Sequence, residues 1–367
     1  MINLNFIPSR RMALYAVKLF LTRSLAVLAA LVLILMTLDL LGESGKILAV
    51  PGNGDADLWR YVGLRLPLLT ARFLPFSVLL GTLIAFSGLN QHSEVIAMKA
   101  AGMSAHQILS PLIVASLAIA AAAFVFNETV VVKAARIVTA WSDNDYKPIP
   151  RASDLLSNVW VLVDQDDLLR ARQVTGEGAA VAVTGLTWYD RDGGNLTRVI
   201  TAERAHPIRG GQWELHNVRS YDATLNLVLR RDSLRALRGV EPARLTLAKV
   251  DPDTLDFFTL KRRIGQLERA GRPAEEARAG LWHKISSPLS TLLMPLLAAV
   301  AAFGLARSGH VLLRASVGMA LGFAYFVADN FSLAMGNVGA YPPLLAAWAP
   351  FVLFLLIGET VLIQSEE

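Results

Sequence analysis

Long apolar windows separated by short polar segments run along most of the chain. Five windows contain no Asp, Glu, Lys or Arg, and they cover residues 73–91, 107–127, 285–306, 315–328 and 341–358. A helix needs about 20 mainly apolar residues to cross a bilayer. Together with an apolar run near the N-terminus, these windows predict six membrane spans. We place them at about residues 19–41, 69–90, 107–128, 283–305, 312–335 and 341–362.

The segment between the third and fourth predicted spans changes to short alternating stretches, which are typical of β-strands. Sequences such as RDGGN and RGGQ separate these stretches and supply the glycines that hairpin turns need. From Pro252 onwards the helical pattern returns. The predicted strands cover residues 158–163, 168–174, 180–190, 196–204, 212–218 and 223–230.

The predicted fold class is therefore an α-helical polytopic membrane protein of six transmembrane helices with an inserted all-β domain, of sandwich or jelly-roll type. Composition supports it, because 54% of the residues are hydrophobic and only 18% are charged, against about 25% charged in soluble domains. The predicted boundaries are 1–128 for the first three spans, 129–252 for the β domain, 253–282 for a helical connector and 283–367 for the last three spans.

Charge in the short loops predicts the orientation. Lys and Arg are enriched on the side that holds both termini, and the positive-inside rule therefore places the termini in the cytoplasm and the β domain outside. No clean cleavage site follows the first apolar run, so we expect a retained anchor. The residues on the two sides are Arg10, Arg11, Lys18, Arg23, Lys99, Arg307 and Arg314 against Lys46 and Arg60.

Catalytic and metal-binding motifs do not emerge from the sequence. The Gly45–Lys46 pair lacks the flanking residues of a phosphate-binding loop. The chain has no cysteine, which excludes disulfides and thiolate metal sites. The histidines show no metal-ligand spacing. We therefore predict no catalytic residue, no metal and no cofactor. The histidines are His92, His106, His206, His216, His283 and His310.

Two kinds of position inside the predicted spans suggest a role, each with a simpler alternative. Gly318 and Gly322 form a close-approach face on span five, which serves either packing within the chain or contact with a partner. Arg65 and Arg72 lie seven residues apart at the outer end of span two and share a helix face. They either bind an anionic ligand or extend to lipid headgroups.

Three stretches carry a family resemblance. The sequence SEVIAMKAAGMS at residues 93–104 resembles the Ser-Glu-x-x-x-Met-x-Ala-x-Gly signature of the lipopolysaccharide export permeases LptF/LptG. The junction from VDPDTLDFF to LWHKISSPLSTLLMPLLA is similar to theirs. The last two spans resemble the LptG branch in particular. The resemblance covers essentially the whole chain. The chain differs from LptG proteins at the outer end of the first span. LptG proteins often carry lysines there, whereas this chain has only Lys46.

The resemblance implies the transmembrane subunit of an ABC exporter in the bacterial inner membrane, which extracts lipopolysaccharide and passes it to a periplasmic protein bridge. The chain itself is then no enzyme. Its implied partners are an LptB-type ATPase dimer that hydrolyses ATP, an LptF-type permease, LptC- and LptA-type β proteins, lipopolysaccharide and membrane lipids, with no nucleic acid. Lys46, Arg65 and Arg72 become candidate contacts for lipid A phosphates. Gly318 and Gly322 become candidates for a lateral gate.

The polar segment between spans two and three is the implied coupling element. Ser93 is a possible cap of a helix at about residues 93–106, and small residues keep this helix slim. Val95 and Met98 would supply outward apolar contacts. Glu94 would pair with an ATPase arginine, or would only complement the helix dipole. The candidate coupling residues are Ser93, Glu94, Val95, Met98 and Gly102.

Two other functions fit the sequence. In the first, the chain is an LptF-type partner subunit of the same exporter. In the second it is a membrane-anchored envelope sensor or scaffold, whose β domain binds a ligand. The sensor is disfavoured by the lack of a cytoplasmic output domain, since no predicted cytoplasmic segment exceeds about 25 residues. A membrane enzyme is a third and weaker reading, because the predicted spans carry no paired carboxylates or histidines.

Overall fold

The computed structural model describes residues 8–148, 156–163, 166–176, 180–208, 211–246, 250–269, 272–304 and 311–364. The chain divides into two compact units. The first comprises Met1–Ser44, Leu58–Ala135 and Pro252–Glu367, and the second comprises Gly45–Asp57 and Arg136–Asp251. The first unit is helical, and the second is built on one antiparallel sheet.

Six helices in the described parts of the chain are long and apolar enough to cross a membrane, which confirms the predicted number of spans. They are Arg10–Leu48, Asp55–Gln91, Ala105–Asp143, Glu275–Ala302, Ser316–Asn337 and Pro343–Gln364. The described helices are α1 Arg10–Leu48, α2 Asp55–Gln91, α3 Glu94–Ala100, α4 Ala105–Phe126, α5 Val132–Asp143, α6 Pro242–Thr246, α7 Phe257–Arg269, α8 Glu275–Gly304, α9 Val311–Asn337 and α10 Pro343–Gln364.

The third span is longer than the sequence predicts. A π-helical turn at Asn127–Val131 joins α4 to α5, so the chain stays helical through Asp143. The predicted boundary between residues 128 and 129 therefore lies inside a continuous helix. A π-turn inserts an extra residue into a helix and occurs often at functional positions.

The core of the helical unit forms around α8, whose apolar side chains Leu293, Leu296 and Leu297 are fully or almost fully buried. By contrast, few residues of α1 and α9 are buried, and their exposed apolar side chains include Leu33 on α1 and Phe323 on α9. An apolar surface on a spanning helix is the surface that faces lipid or another membrane protein. Helix α8 is thus the central span, and α1 and α9 are peripheral.

Glycines permit close contacts between neighbouring helices. A Cβ added at Gly81 of α2 would lie 2.6 Å from the backbone nitrogen of Ser24 on α1. A Cβ at Gly318 of α9 would lie 2.6 Å from Cδ2 of Leu83, and one at Gly322 would overlap Leu79. Small residues allow helices to approach in this way inside a membrane, where close packing supplies much of the association energy.

The sheet unit is a meander in which each described strand pairs with the next, in the order β1 to β6. Strands β1 to β5 lie within four residues of the predicted ones at each end, whereas β6 begins four residues and ends six residues later than predicted. A jelly roll has crossed, Greek-key connections, whereas the described strands are joined in sequence. Their bounds are β1 Leu156–Val163, β2 Asp167–Thr175, β3 Ala182–Asp192, β4 Asn195–Ile208, β5 Gln212–Asp222 and β6 Leu227–Ala236.

One face of the sheet is buried, because side chains alternate across a strand. On β1, Val159, Val161 and Val163 are buried, whereas Trp160 and Leu162 are exposed. The core also holds Trp213, whose Nε1 donates a hydrogen bond to the Val240 carbonyl at 2.7 Å.

Replacing Gly81 with alanine tests the contact between α1 and α2. We expect Gly81→Ala to lower the free energy of unfolding by about 1–3 kcal/mol, because the new methyl group meets a backbone that moves only with the whole helix. The measurement is the thermal midpoint of the detergent-purified chain. Gly88, also in α2, has no atom within 4 Å of an added Cβ, so Gly88→Ala is the matched control. An unchanged midpoint in Gly81→Ala would contradict the contact.

Candidate functional site

The short helix α3 lies between α2 and α4 and is the first candidate site. It covers Glu94–Ala100, so it is shorter than the predicted 93–106. The predicted capping role of Ser93 is wrong: its φ is 58°, and its side chain makes no capping hydrogen bond. Instead, its backbone carbonyl accepts from the N–H of Ala97 at 3.0 Å. Ser104 caps the following helix, where it forms a capping box with Gln107.

Gly102 ends α3 through backbone geometry. Its φ of +85° lies in the left-handed region that favours glycine. The N–H of Gly102 donates to the Lys99 carbonyl at 2.9 Å, and the N–H of Met103 donates to the Met98 carbonyl at 3.1 Å. This pair of bonds is a Schellman motif, which satisfies carbonyls at a helix C-terminus and reverses the chain. The sequence AAGM therefore fixes where α3 ends.

The two faces of α3 differ from the prediction. Val95 is only 4% exposed and belongs to the core of the helical unit, and Met98 packs against the same core. The expectation that these two side chains project outward is therefore wrong; they hold α3 in place. The outward apolar side chain is Ile96, which is 66% exposed, beside the exposed Ala97 and Ala100. The exposed surface of α3 thus consists of one aliphatic side chain, two alanines and the cationic side chain of Lys99.

Glu94 connects α3 to the start of α1. The hydroxyl of Tyr15 donates to Oε1 of Glu94 at 3.2 Å. Both residues line a cavity of about 250 Å³, whose other lining side chains, such as Phe86 and Leu112, are apolar. Helix α3 is therefore held by Val95 and Met98 and has open volume beside Glu94.

Arg65 and Arg72, which the sequence analysis grouped together, have different surroundings. Arg65 is bound to Asp39 of α1 through two hydrogen bonds, of 3.0 and 3.1 Å, and the Tyr61 hydroxyl donates to the same carboxylate at 2.7 Å. Arg72 is exposed and has no hydrogen-bond or ion-pair partner among the described residues. Lys46 is exposed in the last turn of α1, where a cation complements the helix dipole.

The π-turn of the third span carries a buried ion pair. Oε1 of Glu128 lies 3.0 Å from Nζ of Lys284 on α8, and the side chains are 14% and 6% exposed. Oε2 of Glu128 accepts from the backbone N–H of Phe257, at the start of α7. One carboxylate thus joins the third span, α7 and the fourth span.

Two more pairs join neighbouring spans. Nε2 of His283 on α8 lies 3.0 Å from Asp329 on α9. Nε2 of His106 on α4 lies 3.1 Å from Glu359 on α10. Sequence reasoning missed all of these pairings. A signal was available, because the first acidic or basic residue beyond an apolar window is, at several window ends, a member of such a pair. Examples are Glu128, Lys284, Asp329 and Glu359.

The glycine face of α9 points into the helical unit. Gly318 and Gly322 are buried against Leu79 and Leu83 of α2, which supports packing within the chain. The opposite face of α9 is exposed and rich in aromatic side chains, including Phe323. A partner that meets α9 within the membrane would meet this aromatic face.

Known proteins resemble the chain over almost its full length. A family model described as lipopolysaccharide export system permease LptF/LptG matches residues 14–364. The chain is 24% identical over 349 residues to the lipopolysaccharide export system permease protein LptG of Escherichia coli strain K12, covering 93% of this chain and 94% of that protein. It is 25% identical over 314 residues to LptG of Haemophilus influenzae, covering 83% and 86%.

The Glu128–Lys284 pair generates a stability prediction. We expect Lys284→Met to lower the free energy of unfolding by about 3–5 kcal/mol, because it leaves a buried carboxylate without its cation. Adding Glu128→Gln to Lys284→Met should recover much of the lost stability, since the amide oxygen still accepts the hydrogen bond from the backbone N–H of Phe257. Arg278→Ala, which breaks the exposed pair with Glu268, is the control and should cost about 0–1 kcal/mol. Equal thermal midpoints for Lys284→Met and Arg278→Ala would contradict the buried pair.

Proposed function

This chain belongs to the lipopolysaccharide export permease family LptF/LptG, and from that membership we propose that it is the LptG-type membrane subunit of a lipopolysaccharide exporter. It is a transport subunit, and ATP is hydrolysed on a separate LptB-type ATPase dimer. Two of its relatives are LptG proteins, and they align with more than four-fifths of the chain. This favours LptG over LptF.

The observation that carries the proposal is the outer face of α3. Motion of an ATPase reaches a membrane helix only through a rigid contact, and α3 is fixed at its buried face by Val95 and at its end by Gly102. Its exposed Ile96, Ala97 and Ala100 form a slim apolar patch beside the exposed Lys99, and such a patch fits a groove on a partner protein. We place the ATPase dimer on this surface.

Orientation follows from the same assignment. If α3 meets a cytoplasmic ATPase, both termini are cytoplasmic and the sheet unit is periplasmic, because two spans separate α3 from the N-terminus, four separate it from the C-terminus and one separates it from the sheet. The excess of Lys and Arg in the N-terminal segment, in the loop that carries α3 and in residues 306–314 supports this arrangement. The membrane is then the bacterial inner membrane.

The route for lipopolysaccharide lies along the peripheral spans. Helices α1 and α9 present extended apolar surfaces, including Leu33 and Phe323, which suit acyl chains and an LptF-type partner. Arg72, at the outer end of span two, is placed to bind a lipid A phosphate, because its guanidinium has no partner among the described side chains. Arg65 instead serves the structure through Asp39.

The sheet unit suits transfer to a protein bridge. Strand β6 is the last strand in the described sheet order, and Leu227, Val228 and Leu229 on it are all exposed. An exposed edge strand is a template for pairing with a strand of another protein. We place an LptC- or LptA-type β protein at this edge, and the buried apolar face is the surface along which acyl chains would move.

The ATPase contact is tested by charge at α3. Ile96→Asp should weaken co-purification of the ATPase by roughly 30-fold or more, because burying a carboxylate at the centre of an interface costs about 2 kcal/mol or more. Asn195→Asp, which adds the same charge at an exposed position of the sheet unit, is the matched control. Retained association in Ile96→Asp would contradict the placement.

Glu94 needs its own comparison, because its carboxylate already has a partner inside the chain. Tyr15→Phe removes only that internal hydrogen bond, which contributes about 0.5–1.5 kcal/mol, whereas Glu94→Lys also reverses the charge. We expect ATPase activity stimulated by lipopolysaccharide to be lost in Glu94→Lys and kept in Tyr15→Phe. Loss in both variants would assign Glu94 to the internal contact alone.

The phosphate contact is tested at Arg72. Arg72→Ala should reduce photo-crosslinking of lipopolysaccharide from a probe at a neighbouring position by about tenfold or more, since a hydrogen bond between charged groups contributes about 1.5–3 kcal/mol. Arg72→Lys should keep most of the signal. The thermal midpoint should not change in either variant. A probe at position 72 that crosslinks only bulk phospholipid would make Arg72 a membrane anchor.

A further inference from the structure

The outer face of the sheet unit gathers three side chains that ligate metals. They are His206 on β4 and Glu214 and His216 on β5, and each offers one ligand atom within 4.8 Å of the other two. The two imidazole rings stack with centroids 5.2 Å apart and planes 17° from parallel. Nε2 of His206 lies 3.4 Å from Oε2 of Glu214. All three residues are half-buried.

Strand pairing explains why the three side chains meet. His206 is directly opposite Glu214, and Arg204 is opposite His216. Because side chains alternate across a strand, Glu214 and His216 lie on one face. His206 is the cross-strand neighbour of Glu214 and the diagonal neighbour of His216. The spacing in sequence gives no sign of this, since one ligand comes from a different strand.

We propose that His206, Glu214 and His216 bind a divalent transition metal and that Zn²⁺ is the ion they suit best. Two imidazoles and one carboxylate are an established ligand set for zinc, with bonds of about 2.0–2.2 Å. A tetrahedral ion with such bonds holds its ligand atoms roughly 3.4 Å apart. The present separations need only small rotations of the side chains. Three protein ligands leave the fourth position to water or to another donor.

The neighbouring charges define the character of the site. Arg204 and Arg235 are the cross-strand neighbours of His216 and Glu214, and both are exposed. Their positive charges oppose a free cation but favour an anionic donor, such as a phosphate or carboxylate oxygen, in the fourth position. A bound ion would join β4 to β5, and it would therefore stabilise this part of the sheet against unfolding.

Metal titration of the full-length chain tests the site. The chain is purified in detergent without a polyhistidine tag, stripped of metal and titrated with ZnCl₂ by calorimetry. We expect one Zn²⁺ per chain and a higher thermal midpoint. Co²⁺ in its place should give the visible absorption of a four-coordinate ion. MgCl₂ should not bind, because Mg²⁺ prefers an octahedral oxygen shell.

Single replacements identify the ligands. His206→Ala, Glu214→Gln and His216→Ala should each lower Zn²⁺ affinity by at least about tenfold, the loss that removal of even an outer-shell partner causes. Glu203→Gln, on the same strand as His206, is the matched control and should bind as the original chain does. Circular dichroism checks that the variants keep the sheet. Absence of saturable Zn²⁺ binding, or binding that none of the three replacements changes, would leave the cluster a cross-strand ion pair and overturn the proposal.

Discussion

A charged side chain that leaves water must find a partner, and this requirement organises the helical unit. Glu128 and Lys284 form the most buried of the described pairs. His283 reaches Asp329, and Asp39 reaches Arg65. Each pair joins two different spans, so the same interactions that neutralise charge also fix which helices are neighbours. Apolar packing alone would leave that choice open, because lipid is as apolar as the helices themselves.

The buried pairs also connect α3 to the rest of the helical unit, which bears on the proposed coupling to an ATPase. Helix α3 is fixed to the core by Val95, and that core includes α4 and α8. The third span contains the π-turn, where Glu128 holds both Lys284 and the start of α7. A displacement of α3 is therefore resisted by charge pairs as well as by packing. Under the proposed function, a bundle held in this way would move as a body, as a transporter driven by a separate ATPase requires.

Periodicity was sufficient to predict the number of spans, the strands and the existence of α3. It was insufficient wherever the answer depended on which face of a helix meets a neighbour. Val95 and Met98 were predicted to point outward because the sequence of a short polar loop does not indicate which core its side chains pack against. Ser93 was predicted to cap α3, yet its left-handed backbone prevents this. The metal-ligand cluster was missed because pairing between strands, unlike helix periodicity, brings distant residues together.

The most direct test of the central claim is a transfer assay with the assembled exporter. The chain is reconstituted with an LptF-type partner and an LptB-type ATPase in vesicles that contain lipopolysaccharide, and a soluble LptA-type acceptor is added outside. Crosslinking to the acceptor measures the lipopolysaccharide delivered. We expect delivery that requires both ATP and this chain. Equal delivery from vesicles that lack the chain, or ATP hydrolysis by the complete assembly without delivery, would contradict it.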